Sequence, residues 1–176
     1  MIRFLHTADW HLGIKYTKLG HSAQKARDIR IETAKRLMET AKDNNVDFII
    51  IAGDLFDNND VDRRLVDIAV KIMSDAAPIP VYILPGNHDP LTRDSLYSNQ
   101  EWDSLGNTFI LKNNKPVEIP GINVTLYPCP VTQKQTRKDL TEWIKLINNN
   151  ISVGIAHGNL QILGWVNEPN FPIDPE

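Results

Sequence analysis

Side chains that commonly ligate metals stand just after apolar runs at several points of this sequence: Asp9 and His11, Asp54, Asn87, and His157. Asp9 and His11 are two positions apart, so on an extended segment both side chains can point to the same side. Asp54 follows Gly53 at a tight turn and can offer its two oxygens to two ions. A set of nitrogen and oxygen ligands without thiolate favours Mn²⁺, Fe²⁺, Mg²⁺ or Zn²⁺ over Cu(I) or an iron–sulfur cluster.

Two divalent cations held by such a set could catalyse a displacement at phosphorus. Ions about 3.5–4 Å apart clamp the attacking and leaving oxygens, and a hydroxide that bridges them serves as the nucleophile, so no protein base is required. His88, directly after Asn87, is predicted to face the substrate and to give a proton to the leaving oxygen. Asp57, three positions after Asp54, is predicted to hold that imidazole charged and oriented. Asp89 is predicted to support the loop or a ligand imidazole.

Each of these motifs has a simpler interpretation when it is taken alone. An Asp-x-His pair is common by chance, Gly-Asp after a strand is often a turn closed by an Asx hydrogen bond, and Gly-Asn-His-Asp can be a hairpin turn. A single histidine such as His157 is more often a buried, hydrogen-bonded residue than a ligand. The motifs recur along the chain, each at the end of a predicted strand, and this recurrence favours one shared metal site.

The hydrophobic pattern predicts the elements that must position these side chains. Strands are expected at 2–8, 46–52, 81–84, 108–111, 117–119, 123–127 and 151–156. Helices are expected where apolar residues recur every three or four positions: from Ser22 to about Asn44, from Asp60 or Asp62 to about Ala76, and from Thr136 to about Ile147. This order predicts an α/β layered domain with central β-sheets flanked by helices, and open α/β sheets bind ligands beyond the carboxyl ends of their strands.

The composition excludes several classes of protein. The 176 residues, 41% hydrophobic and 23% charged, are sufficient for one domain with a hydrophobic core. No apolar run approaches the roughly 20 residues that span a bilayer, and the N-terminus lacks the apolar region of a signal peptide. A cytoplasmic protein without membrane association is therefore expected, with its single Cys129 as a small core or loop residue. The net charge of −3 is not that of a protein built mainly to hold nucleic acid, but a nuclease with a local basic patch stays possible.

Taken together, the motifs resemble those of the calcineurin-like binuclear metallophosphoesterases. They are Thr7-Ala8-Asp9-Trp10-His11-Leu12-Gly13, Gly53-Asp54-Leu55-Phe56-Asp57, Gly86-Asn87-His88-Asp89 and His157-Gly158. The first two are most similar to the SbcD-type DNA-repair exonucleases. The resemblance implies a ligand set shared by two ions: Asp9 and His11 on one, Asn87 and His157 on the other, and Asp54 on both. It also implies that His88 is the catalytic histidine.

The same resemblance implies a DNA phosphodiesterase that depends on two divalent ions, most often Mn²⁺. Such enzymes cut DNA from 3′ ends or at hairpins, and they usually work with an SMC-like ATPase partner. The oligomeric state is left open by the sequence, a homodimer included. Asn58 and Asp89 stand where the protein Ser/Thr phosphatases of this superfamily carry Arg and Glu, which disfavours that branch.

One motif of the family is missing from this sequence. A further Gly-His-x-His is expected after the strand that leads to His157, yet no histidine follows Gly158. Residues 1–176 are therefore expected to be the metallophosphoesterase domain as an N-terminal fragment of a longer chain. Whether this chain is active alone is left open.

Basic residues exceed acidic ones between Lys15 and Arg36, beginning in the loop after His11. Lys15 and Lys18 are predicted to contact DNA phosphates, with a solvated helix face as the equal alternative. Two other functions stay open. One is the same chemistry on cyclic nucleotides or small phosphoesters, which the acidic isoelectric point favours. The other is a non-catalytic interaction module with an incomplete metal site.

Overall fold

The computed structural model describes residues 1–147, 149–162 and 170–174. The strands are β1 (Phe4–Thr7), β2 (Phe48–Ala52), β3 (Val81–Leu84), β4 (Thr108–Ile110), β5 (Val117–Glu118), β6 (Val124–Cys129), β7 (Ile151–Ala156), β8 (Asn159–Leu160) and β9 (Pro172–Ile173). The α-helices are α1 (Ala23–Asp43), α2 (Arg63–Asp75) and α3 (Gln100–Asp103), and 3₁₀ helices lie at Thr17–Ser22 and Leu96–Ser98. The α/β fold class predicted from the sequence is confirmed.

The first sheet has four parallel strands in the order β1-β2-β3-β4. Strand β2 is buried along its whole length, as expected for a run of large apolar residues between two covered faces. Ile49 and Ile51 belong to the core shared with helices α1 and α2. Phe48 and Ile50 belong to the core shared with the second sheet. The helices, the first sheet and the second sheet therefore form successive layers.

The two long helices cover the first sheet with apolar stripes. The buried residues are Ala34, Met38 and Ala41 in α1, and Val66, Ala69, Ile72 and Met73 in α2. Asp62 caps α2, because its carboxylate accepts a hydrogen bond from the backbone N–H of Arg64 at 2.8 Å. Of the two caps predicted from the sequence, Asp62 is the one in use. No described helix is both long enough and apolar enough to cross a membrane.

The second sheet has the order β5-β6-β7, with β6 and β7 parallel. Strand β6 is buried along its length, and Val124 and Leu126 join it to the core below the first sheet. The register pairs Cys129 with Ala156 at the end of β7. The next residue, His157, lies beside the end of β2, where its Nδ1 atom is 2.9 Å from the carbonyl oxygen of Ala52.

The helix predicted from Thr136 to Ile147 is wrong, because these residues form turns and irregular backbone. The Asp139 carboxylate accepts hydrogen bonds from the N–H and the hydroxyl of Thr141 at 2.7 and 2.6 Å, a local pattern that competes with helix formation. The carbonyl of Thr136 accepts the N–H of Phe171 at 2.8 Å. That distant segment forms β9, whose parallel pairing with β8 was not predicted.

Candidate metal centre

The loops that follow β1 and β2 run side by side, because their backbones continue the parallel pairing of the two strands. The N–H groups of Asp9, His11 and Leu12 donate to the carbonyls of Gly53, Asp54 and Leu55 at 3.2, 2.9 and 2.9 Å. The N–H of Asp57 in turn donates to the carbonyl of Leu12 at 2.9 Å. Main-chain hydrogen bonds therefore join the first two motifs directly.

Three of the ligand-type residues have left-handed backbone conformations, which residues other than glycine rarely adopt. The φ angle is 57° at Asp9, 41° at His11 and 52° at Asp54. Each such residue costs on the order of 1–3 kcal/mol, and strained residues of this kind cluster at functional sites. In this protein, the strained turns direct the side chains of all three residues toward the same centre.

Two glycines allow the closest approaches in the centre. A Cβ atom at Gly53 would collide with the imidazole ring of His157, and one at Gly86 would collide with the carboxylate of Asp54. Gly53 also has a φ of 94°, where a side chain would be strained even if space were available. The glycines of the Gly-Asp and Gly-Asn-His-Asp motifs thus let separate loops touch.

The carboxylate of Asp54 lies at the middle of the centre, with a side chain only 3% exposed. Its Oδ2 atom is 3.3 Å from Nε2 of His157, 3.8 Å from Nε2 of His11 and 4.0 Å from Nε2 of His88. Its Oδ1 atom accepts the backbone N–H of His88 at 2.9 Å. Loops after β1, β2, β3 and β7 therefore converge on one carboxylate.

The geometry and chemistry of these groups fit divalent cations. Among the His, Cys, Asp and Glu side chains of the described residues, two sets of three bring ligand atoms within 4.8 Å of one another: Asp9 with Asp54 and His157, and His11 with Asp54 and His88. Both sets share Asp54. The ring atom of His11 that faces these carboxylates is Nε2, which lies 3.6 Å from Oδ1 of Asp9 and 3.8 Å from Oδ2 of Asp54.

The electrostatics of the Asp54–His157 pair favour a negatively charged carboxylate. Burial raises the pKa of Asp54, but the hydrogen bonds from the His157 ring and the His88 N–H, with the charges of both imidazoles, outweigh it and leave the pKa lowered. Burial lowers the pKa of His157, but the contact with Asp54 outweighs that effect and leaves the pKa raised. The Asp54 carboxylate is thus stabilised in its charged form by neighbouring positive charge, which is the condition in which a carboxylate binds cations.

A main-chain contact fixes the orientation of the His157 ring. Its Nδ1 atom lies 2.9 Å from the carbonyl oxygen of Ala52, and a carbonyl can only accept, so Nδ1 carries the proton. Nε2 is then the atom directed at Asp54. A histidine whose second nitrogen donates to a carbonyl is the usual arrangement at metal sites.

His88 is oriented differently from the sequence-based prediction. Its Nδ1 atom lies 2.9 Å from the carbonyl oxygen of Asp57, not from the carboxylate. The Asp57 carboxylate instead lies 3.6 Å from Nδ1 of His11. The expected carboxylate–imidazole pair of Asp57 and His88 is therefore replaced by a main-chain contact, because the side chain of Asp57 turns toward the ring of His11. His88 itself is 44% exposed and faces solvent at the edge of the centre.

Asp89 is fully buried beneath the loop that carries His88. Its carboxylate accepts the N–H of Gly86 at 2.8 Å, the N–H of Phe56 at 2.9 Å and the hydroxyl of Tyr97 at 2.6 Å. Burial raises the pKa of the Asp89 carboxyl, and these hydrogen bonds oppose the rise. Asp89 thus ties the third loop to the second. Tyr97 was missed by the sequence analysis, since an aromatic residue in a polar loop gives no signal of such a contact.

The remaining residues singled out from the sequence are Asn87, Lys15 and Lys18. Asn87 is half-buried and stands between Gly86 and His88, both of which contact Asp54. Lys15 and Lys18 are exposed, in the loop after His11 and in the 3₁₀ helix that follows it.

A comparison with known protein families identifies the family of this chain. Residues 2–172 match the family described as calcineurin-like phosphoesterase. The match spans nearly the whole chain, and the family hydrolyses phosphoesters with divalent metals. This protein therefore belongs to the calcineurin-like phosphoesterase family.

Proposed function

We propose that this protein hydrolyses phosphodiester bonds of DNA, as a repair nuclease of the SbcD type that uses two divalent cations, most often Mn²⁺. The observation that carries the proposal is the buried Asp54 carboxylate, which converges with Asp9 and His157 in one set and with the His11 ring in the other. A single buried carboxylate common to two sets is the arrangement that a pair of neighbouring cations needs.

Five side chains would hold the cations: Asp9, His11, Asp54, Asn87 and His157. When bound, divalent cations supply the positive charge that activates water and neutralises the phosphoryl oxygens. The protein's own part is to hold these ligands in strained, hydrogen-bonded turns before substrate arrives. The exposed Asp9 side chain, at 61%, leaves one side of the centre open to a large substrate.

His88 is the proposed proton donor to the leaving oxygen. Its Nδ1 atom donates to the carbonyl of Asp57 at 2.9 Å, so the proton for the leaving oxygen must be carried by Nε2 of the positively charged ring. That Nε2 atom lies 4.0 Å from Oδ2 of Asp54. The ring is the most exposed of the three imidazoles around Asp54. A departing sugar oxygen is strongly basic, so a positioned acid is useful for DNA in particular.

Support for DNA as substrate comes from the position of two lysines. Lys15 and Lys18 follow the ligand His11 in the sequence and are exposed, so they are free to contact DNA phosphates, a kind of contact that gives binding without sequence preference. The resemblance to the SbcD-type nucleases adds the other parts of the proposal: a cytoplasmic role in DNA repair and an SMC-like ATPase partner.

The test compares leaving groups in Mn²⁺. The chain is assayed on single-stranded DNA, hairpin DNA, cAMP and bis-p-nitrophenyl phosphate, with His88→Gln and the exposed His21→Gln as matched variants. We expect His88→Gln to lose about 10²–10⁴-fold on DNA and far less on the nitrophenyl ester, whose leaving group needs no proton. His21→Gln should behave as wild type.

Other outcomes identify other functions. Turnover of cAMP or the nitrophenyl ester without any cleavage of DNA would assign a small phosphoester as substrate. Mn²⁺ binding without turnover of any ester would assign a non-catalytic module.

A further inference from the structure

We propose that Arg30 is a positioning residue for the metal centre, which fixes from helix α1 the turn that carries Asp9 and His11. The inference rests on the proposed function only for the claim that these two side chains ligate cations. The sequence offers no sign of it, since Arg30 is one of several basic residues on that helix.

The guanidinium of Arg30 binds the main chain between the two ligands. Its NH1 group donates to the carbonyl of Trp10 at 2.6 Å and lies 3.4 Å from the carbonyl of Asp9. One charged group therefore spans two successive carbonyls, and a charged donor holds a carbonyl more strongly than a neutral one. The Trp10 indole N–H donates to the hydroxyl of Thr7 at 2.9 Å, which anchors the other side of the turn to β1.

Tyr16 holds Arg30 in this orientation. The Nε group of Arg30 donates to the Tyr16 hydroxyl at 2.9 Å, and the guanidinium carbon lies 5.8 Å from the centre of the Tyr16 ring. Tyr16 stands at the far end of the loop that begins at His11. Arg30 therefore joins both ends of that loop to helix α1, and its planar, permanently charged fork suits this task better than a lysine.

The turn needs such support because its conformation is unfavourable. Asp9 and His11 both have positive φ angles, and the Asp9 side chain is largely exposed, so packing constrains it little. Without Arg30, the turn can relax toward ordinary backbone angles and carry Asp9 away from Asp54 and His157.

The first experiment is a calorimetric Mn²⁺ titration of Arg30→Met, Arg30→Lys and Arg36→Met. Arg36 is exposed on the same helix, so its variant makes the same charge change away from the turn. We expect Arg30→Met to weaken Mn²⁺ binding by about 10–100-fold, the usual effect of losing a group that orients a ligand. Arg30→Lys should recover part of the affinity, and Arg36→Met should bind as wild type.

The second measurement needs no metal. Hydrogen exchange of the His11 amide, which donates to the carbonyl of Asp54 at 2.9 Å, reports whether the turn opens locally. We expect exchange at His11 to be roughly 10-fold faster in Arg30→Met, with exchange at Ile50 in β2 unchanged. If Arg30→Met does not fold, Tyr16→Phe should show the same pattern with a smaller change.

Two results would overturn the proposal. Either Arg30→Met matches Arg36→Met in both Mn²⁺ affinity and His11 exchange, or its exchange rises equally at His11 and Ile50, as in general destabilisation. A wild-type chain without Mn²⁺ affinity would instead contradict the proposed function, while the exchange measurement still decides the role of Arg30.

Discussion

Both oxygens of the Asp54 carboxylate are engaged, one by the N–H of His88 and the other by the ring of His157. Because the side chain is almost fully buried, water cannot easily replace a missing partner. At the scale of single residues, the affinity for cations therefore depends on this carboxylate more than on the exposed Asp9.

Replacement of Asp54 by Asn should remove the ligand shared by both sets. We expect Mn²⁺ affinity to fall by more than about 100-fold, beyond the effect of removing a supporting group. Mn²⁺ at about 100 times its dissociation constant should stabilise the wild type by about 2.7 kcal/mol per site and Asp54→Asn hardly at all. Urea unfolding of each protein with and without Mn²⁺ measures these two stabilisation energies. The exposed Asp67→Asn in α2 is the control, and equal stabilisation of Asp54→Asn and wild type would contradict the prediction.

Replacement of Tyr97 by Phe should destabilise the protein, because it removes a donor from the buried carboxylate of Asp89. A hydrogen bond to a charged group contributes about 1.5–3 kcal/mol, so the free energy of unfolding should fall by about that amount in urea. The control is Tyr82→Phe, since burial alone raises the pKa of Tyr82 and no carboxylate is involved. Equal losses of stability in the two variants would show that the Asp89 hydrogen bond is not responsible.

At the scale of elements, strands and helices that are marked by a continuous apolar pattern could be predicted from the sequence. Segments whose backbone depends on contacts with distant residues could not. Strands β2 and β3 and helix α2 follow from an uninterrupted apolar run or a regular apolar stripe. Residues 136–147 carry a similar stripe, yet Trp143 packs on Tyr127 with ring centres 6.1 Å apart and donates to Cys129 Sγ at 3.3 Å without helical backbone. Apolar spacing therefore predicted neither the backbone nor full burial here, since Leu140 and Trp143 are half-buried and Ile147 is 62% exposed.

The carboxylate of Asp139 should make the stability of this segment depend on pH. Burial raises its pKa, but hydrogen bonds from Thr141 and the N–H of Asp174 outweigh that effect and leave the pKa lowered. The unfolded chain therefore binds this proton more readily, so the stabilisation is present above the ordinary Asp pKa of about 3.9 and is lost as pH falls through the lower folded value.

The comparison of Asp139→Asn with wild type isolates this effect. Between about pH 6 and pH 3, the free energy of unfolding measured in urea should fall by roughly 0.5 kcal/mol more in wild type than in Asp139→Asn. The difference is small because the carboxylate is near solvent. The exposed Asp103→Asn in α3 should lose as much as wild type. A loss in Asp139→Asn as large as in wild type would mean that the carboxylate does not stabilise the segment.

For the whole molecule, the convergence of the loops after β1, β2 and β3 could be predicted, because these parallel strands end at a common edge. The loop after β7 belongs to the second sheet, and only the layering of the two sheets brings it to the same place. The supporting contacts could not be predicted. Tyr97, Arg30 and Tyr16 act through residues distant in sequence, and no local pattern marks such pairs. The same holds for Asp57, whose carbonyl and carboxylate face different imidazoles, since spacing in the sequence does not say which atom of a residue makes a contact.

The charge distribution gives a test of DNA binding. Lys15→Gln combined with Lys18→Gln should make the dependence of log affinity on log salt concentration less steep by about 0.9 for each phosphate that the protein no longer neutralises. Fluorescence anisotropy of duplex DNA in EDTA over a range of salt concentrations measures it without cleavage. The exposed pair Lys112 and Lys115, also replaced by Gln, should leave the slope unchanged. An unchanged slope in the first variant would refute the lysine patch.

The contact between His157 and Ala52 joins residues 105 positions apart in the sequence. A ribosome synthesises the chain from its N-terminus, so β1, β2 and β3 leave the ribosome well before β7. The ring that borders Asp54 is therefore made after the first three motifs, together with the strand that completes the core against Phe48 and Ile50. Hydrolytic competence therefore arises late in biosynthesis, when the second sheet docks, and not while the first motifs are being made.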